Sequence, residues 1–238
     1  MTRLRRDFAA LFLLVCLGGL AGAGDFWVKK TYKNWSADET QRILDESPWA
    51  TTLSLGGFQN HIAEGAAGGG YRGEMDTNPT ITYNIRFASA RPIREAQVRS
   101  SQIGAHYDSM NAEQKAALDA NASKFLAVVF PDRVIITVTF HSDVQNFESV
   151  LRNYWDSQSL AKLSMTTYLH TKDDKLSLTG YNVKEDTFQL TFPRPKQLRP
   201  DDKLGVEFVH PRVNVIGEQR IFQEFSVKKM LVDGEPAF

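Results

Sequence analysis

The sequence predicts an α+β fold: a mostly antiparallel β-sheet or sandwich in the C-terminal half, with several helices packed on it. Three observations carry this. In short segments from residue 80 onward, apolar residues recur at every second position. Many of those segments are separated by turn residues, which favours antiparallel neighbours. One stretch, from Phe147 to Trp155, follows the 3.6-residue period of an amphipathic helix instead.

The chain opens on what reads as an export signal, residues 1–23. Arg3, Arg5 and Arg6 give a positive start, Phe8 to Leu20 is apolar apart from two glycines, and Ala21-Gly22-Ala23 offers a small-x-small cleavage pattern. The apolar run is shorter than the roughly 20 residues that cross a bilayer, so removal is expected rather than anchorage. Two other routes match in part. Arg5-Arg6-Asp7-Phe8 partly fits the twin-arginine pattern. Leu13-Leu14-Val15-Cys16 resembles a bacterial lipoprotein box, although Val15 is larger than the residue usual there. A lipid on Cys16 would hold the chain on a membrane surface. The expected location is periplasmic or secreted, with a surface lipoprotein as the alternative.

Cleavage after Ala23 would leave 215 of the 238 residues, ample for an ordinary core. The 28 basic and 28 acidic residues would become 25 and 27 with the loss of Arg3, Arg5, Arg6 and Asp7. Such a balance gives no electrostatic reason to bind nucleic acid. Cys16 is the only cysteine, so the mature chain would lack disulfides, a thiol nucleophile and cysteine-ligated metal. Residues 24–238 are expected to form a single α+β domain with no transmembrane segment, in which 24–79 supply a helical and glycine-rich N-terminal part.

Within that domain, Ser36-Ala37-Asp38-Glu39 is a capping box. Its helix should end near Glu46, because Pro48 disfavours helical geometry at Ser47. The stretch Glu64–Gly73, containing Gly68-Gly69-Gly70, reads as a surface loop. Thr80–Phe87 is a half-buried strand with Ile81, Tyr83, Ile85 and Phe87 on one face. Pro92 opens a helix through Ile103, and Asn111 caps another over Ala112–Ala122. Lys124–Phe130 and Arg133–His141 read as strands around Pro131-Asp132. Ser142-Asp143-Val144-Gln145 is expected to cap a helix whose Phe147, Val150, Leu151, Tyr154 and Trp155 form one face. The remaining strands are Leu163–Thr171, Lys175–Tyr181, Asp186–Phe192, Lys203–Val209 and Gln219–Val232, with Asp233-Gly234 a turn.

Candidate residues for chemistry are few. No G-x-S-x-G is present; Ser159-Leu160-Ala161-Lys162 matches S-x-x-K without its partner motifs, and a helix end explains it. The glycine-rich stretch lacks the G-K-[ST] of a phosphate loop. The histidines are His61, His106, His141, His170 and His210, with no H-x-x-x-H spacing. His141 with Asp143, and His170 with Asp173, are the side chains that would have to converge on a metal; ordinary strand-end and turn chemistry is the simpler reading. Asp45-Glu46, Glu185-Asp186 and Asp201-Asp202 sit where helix ends and turns place acids. Trp35, Trp49, Trp155, Phe26 and Trp27 could build a sugar or peptide platform, but large aromatics more commonly fill cores. No catalytic, cofactor-binding or metal-binding residue is assigned.

The segment Trp35-Ser36-x-x-Glu39, then Ile43-Leu44-x-x-Ser47-Pro48-Trp49-Ala50, resembles the start of uncharacterised exported bacterial proteins. The resemblance implies export and no particular activity. The expectation is a non-enzymatic binding or envelope-associated module, with an exported hydrolase or metal-dependent enzyme as the alternative.

Overall fold

Alternating burial and turn chemistry organise the chain into two antiparallel sheets with helices around them. The computed structural model describes residues 26–56 and 79–238. The expected export signal, Cys16, His61 and the glycine-rich stretch Glu64–Gly73 lie outside the described residues.

Sheet one has the order β1 (Ala50–Gly56), β2 (Thr80–Phe87), β3 (Arg133–Ser142), β7 (Thr187–Pro193), β6 (Gly180–Lys184). Sheet two has the order β5 (Lys175–Ser177), β4 (Tyr168–His170), β8 (Lys203–His210), β9 (Gln219–Ser226). A small hairpin, β10 (Leu231–Val232) and β11 (Glu235–Pro236), closes the described chain. The register follows the apolar pattern. Tyr83 stands opposite Phe140, Val138 opposite Phe188, and Val206 opposite Leu169. A slip of one residue would turn every one of these buried side chains outward.

The inner faces meet through aromatic rings. Phe208 of sheet two lies 5.4 Å from Tyr83 and 5.6 Å from Phe188 of sheet one, in edge-to-face geometry. Phe87 meets Phe225 at 4.9 Å in the same way. Trp155 stacks on Phe188 at 3.9 Å and touches Phe208 with its edge. Buried residues of both sheets and the helices thus form one continuous apolar cluster.

A helical turn, α1 (Phe26–Lys29), precedes α2 (Ala37–Asp45). The capping box at Ser36 and Glu39 is formed in both directions, as its spacing predicts. Helix α2 packs against β1, β2 and α3 (Arg91–Gly104), whose Pro92 lies in the first turn. Trp35 and Trp49 are buried, and the edges of Phe26 and Trp27 pack on them. In α5 (Gln145–Asp156), Phe147, Leu151 and Trp155 are buried, whereas Val150 stays exposed.

The structure departs from the sequence reading in five places. The expected strand Lys124–Phe130 is mostly helix, because α4 runs from Ala112 to Ala127. Asn111 and Gln114 cap it in both directions, and nothing before Pro131 breaks a helix, so it continues through Lys124 and Phe125. The expected strand Leu163–Thr171 begins as a helical turn, α6 (Leu160–Leu163), and only Tyr168–His170 pairs. The expected strand Lys175–Tyr181 divides between the two sheets, and Gln219–Val232 is cut by a 3₁₀ turn at Val227–Met230. Edge strand β1 was not foreseen; its burial does not alternate cleanly, so its period is weak.

Candidate functional site

The side chains that sequence reasoning placed around a possible metal do not meet. His141 ends β3, exposed and paired with Glu148 of α5. Asp143 accepts from the Thr80 amide at 2.7 Å and so ties a turn to β2. His170 is on sheet two, and Asp173 sits in the β4–β5 turn, 3.8 Å from Arg199. Among the described residues no three His, Cys, Asp or Glu side chains come together as a metal site. Ser159 of the S-x-x-K match accepts from the Lys162 amide and caps α6. The acidic pairs do similar work: Asp45 holds Arg86 and Asn84, Asp186 holds Arg152, and Asp202 accepts from the Arg199 amide.

The outer face of sheet two is different. With Leu204, Val206 and Phe208 turned inward, Gly205 and Glu207 of β8 must point outward. The neighbouring strands add Tyr168 and His170 from β4, Lys175 from β5, and Arg220 and Phe222 from β9. Gly205 is needed because the Phe222 ring lies over it: a Cβ there would sit 2.5 Å from the ring. Phe222 nevertheless stays 50% exposed. Its ring meets that of His170 at 5.3 Å, which meets that of Tyr168 at 6.2 Å. Lys175 caps Tyr168 with its ammonium 3.6 Å from the ring centre.

Glu207 is the hub beneath these rings, with its side chain only 6% exposed. Arg220 donates to it at 2.6 Å, the Nε2 of His170 at 2.5 Å, and Lys175 stands 3.9 Å away. Burial alone would raise the Glu207 pKa, but the hydrogen bonds from Arg220 and His170 outweigh it and hold the carboxyl below its ordinary range. The same contact raises the Arg220 pKa. Among the described residues, no hydroxyl or thiol is hydrogen-bonded to His170. The arrangement offers a half-exposed aromatic surface on a fixed charged base, which suits stacking and hydrogen bonding.

Comparison with known proteins finds no matching family, no matching curated protein and no matching solved structure. Function therefore rests on the residues themselves.

A second polar group lies inside the sandwich. His210, the inward end of β8, is fully buried, with Nδ1 2.7 Å from the Tyr83 hydroxyl. Its Nε2 meets no partner among the described residues. Burial pushes the His210 pKa down to about 4, so the ring is neutral at pH 7.

Sequence reasoning missed Glu207, Arg220, Phe222 and Tyr168. Two signals were present. Phe222 is a large apolar residue on the polar phase of β9, out of step with Ile221 and Phe225. Gly205 interrupts the interior of an otherwise strong strand, which marks a close approach.

Proposed function

We propose that this chain is an exported, non-enzymatic binding module of the cell envelope, and that it docks its partner on the outer face of sheet two. The observation that carries the reading is the buried Glu207 hub under the half-exposed Phe222 ring. A carboxylate held by two hydrogen-bonded side chains and a nearby ammonium costs desolvation, and a bare solvent-facing sheet does not need it. It fixes Arg220, Lys175 and His170 around the aromatic surface, where a partner can stack and bond. Export rests on the N-terminal pattern and on the resemblance of Trp35–Ala50 to exported bacterial proteins. No helix among the described residues is long and apolar enough to cross a membrane.

Co-sedimentation of the purified mature chain with isolated envelopes tests this. The expected result is retention of the wild type and at least tenfold weaker retention of the double variant Phe222→Ser, Tyr168→Ala, with its melting temperature kept. Equal retention of the two proteins would overturn the reading. The alternative of a metal-dependent hydrolase gains no support from the placement of His141, Asp143, His170 and Asp173; elemental analysis showing a stoichiometric divalent metal would restore it.

A further inference from the structure

At the start of α3, the described residues border an open pocket of about 420 Å³ lined by Arg91, Arg94, Arg194, Val129, Phe130 and Phe238, among others. No Asp or Glu is among its lining residues. Arg94 is the unusual group. It is 4% exposed, yet it forms no ion pair among the described residues. Its Nη1 donates to the Val128 carbonyl at 2.6 Å, and its guanidinium sits against the rings of Phe125 and Phe130 at 4.9 and 5.3 Å. Its Nε and Nη2 find no acceptor. Buried arginines are almost always paired with an anion, so this site has a cation and no counter-charge.

Two further features point the same way. The N-cap of α3 is Ala90, which supplies no side-chain acceptor, and the first turn carries no acid. The positive end of the helix dipole therefore adds to the guanidinium field. The other two arginines are already engaged: Arg91 with Glu95, and Arg194 with the main-chain oxygen of Phe238. Arg94 is thus the buried cation of this wall without an acidic partner, and a carboxylate would supply one. Apart from Ser89 the rest of the wall is apolar, with Leu126, Val129, Phe130, Pro131 and Phe238 lining the space.

We propose that this pocket binds a small organic monocarboxylate with an apolar body, its carboxylate neutralising Arg94 and its hydrocarbon lying against Val129, Phe130 and Phe238. The volume falls in the range of small-ligand sites. The end of α4 borders the pocket: Leu126 lines it, and exposed Val128 and Val129 follow. Because Nε and Nη2 are buried, binding there requires this segment to shift. The site shares no residue with the face of sheet two and stands apart from the function proposed above.

Sodium octanoate is the probe, titrated into the full mature chain by calorimetry and by thermal melting, with inorganic phosphate as the comparison. One octanoate should bind per chain and raise the melting temperature, while phosphate at the same concentration should not. Arg94→Met should bind octanoate at least tenfold more weakly and melt no lower than the ligand-free wild type, because it removes an unpaired buried charge. No octanoate binding, an equal response to phosphate, or unchanged affinity in Arg94→Met would each overturn the proposal. Val129→Glu guards against a failure of Arg94→Met to fold. It plants a competing carboxylate at the rim, and a tenfold loss of affinity supports the site whereas no loss overturns it.

Discussion

The two sheets bury the same kind of side chain inward and present opposite chemistry outward. Inside, Tyr83, Phe87 and Phe188 of sheet one meet Phe208 and Phe225 of sheet two ring to ring. Outside, sheet one is largely a field of short neutral groups that satisfy one another. Thr139 and Thr187 hydroxyls lie 2.9 Å apart, and Asn84 donates to Thr52 at 3.0 Å. Its Arg86 is consumed by Leu44 and Asp45 of α2. Sheet two instead gathers a buried carboxylate, several cations and three aromatic rings on its open side. The inner faces explain why the chain folds; of the two outer faces, that of sheet two is the one with a buried charged hub.

Four experiments break or sharpen that contrast. The largest effect is expected at the shared core. Trp155→Ala should destabilise by about 4 kcal/mol, in one cooperative urea transition; two separate transitions would show that the sheets are not a common core. Next comes the buried imidazole. The folded-state pKa of His210, about 4, lies below its ordinary 6.5, so its contribution is present above pH 6.5 and drains away as the pH falls toward 4. The loss is about 3 kcal/mol, and denaturant curves of His210→Gln across that window should lack it. On the outer face of sheet two, Glu207→Gln should cost about 2 kcal/mol at pH 7. The Glu207 pKa is lowered from 4.5, so its stabilisation fades as the pH falls through the acid range, and the variant and wild type should converge there. The smallest effect is expected on the outer face of sheet one, where Thr139→Val should change stability by less than about 0.5 kcal/mol. A larger loss would mean that this face, too, has a task.

The inward half of this design was legible in the sequence. Strands with a strict two-residue period, such as Thr80–Phe87, and the capping box at Ser36 and Glu39 stand where the pattern puts them. What was not legible depends on which strand lies beside which. Glu207 becomes a hub only because Tyr168 is opposite it on one side and Phe222 on the other, across separations of tens of residues. The helix α4 was cut short because Lys124–Phe130 is, after its lysine, a short continuous apolar run that reads equally as a buried strand, while local propensity and the absence of a breaker carry the helix on. Arg94 was not singled out at all, since a lone arginine on a helix gives no hint that its partner is missing.

The end of the described chain has a consequence for how the protein comes into being. The Trp49 indole donates to the Met230 carbonyl, 181 residues away in sequence, and the buried Phe238 ring packs 5.3 Å from Phe87. The Arg91 amide donates to Ala237 at 2.7 Å. Early helices and strands are therefore locked by residues made much later, and long loops must close before those contacts reward the chain. Folding should be slow and should wait for synthesis to run to about residue 238. Until then the polypeptide stays open, the state in which an export channel for unfolded chains would have to take it.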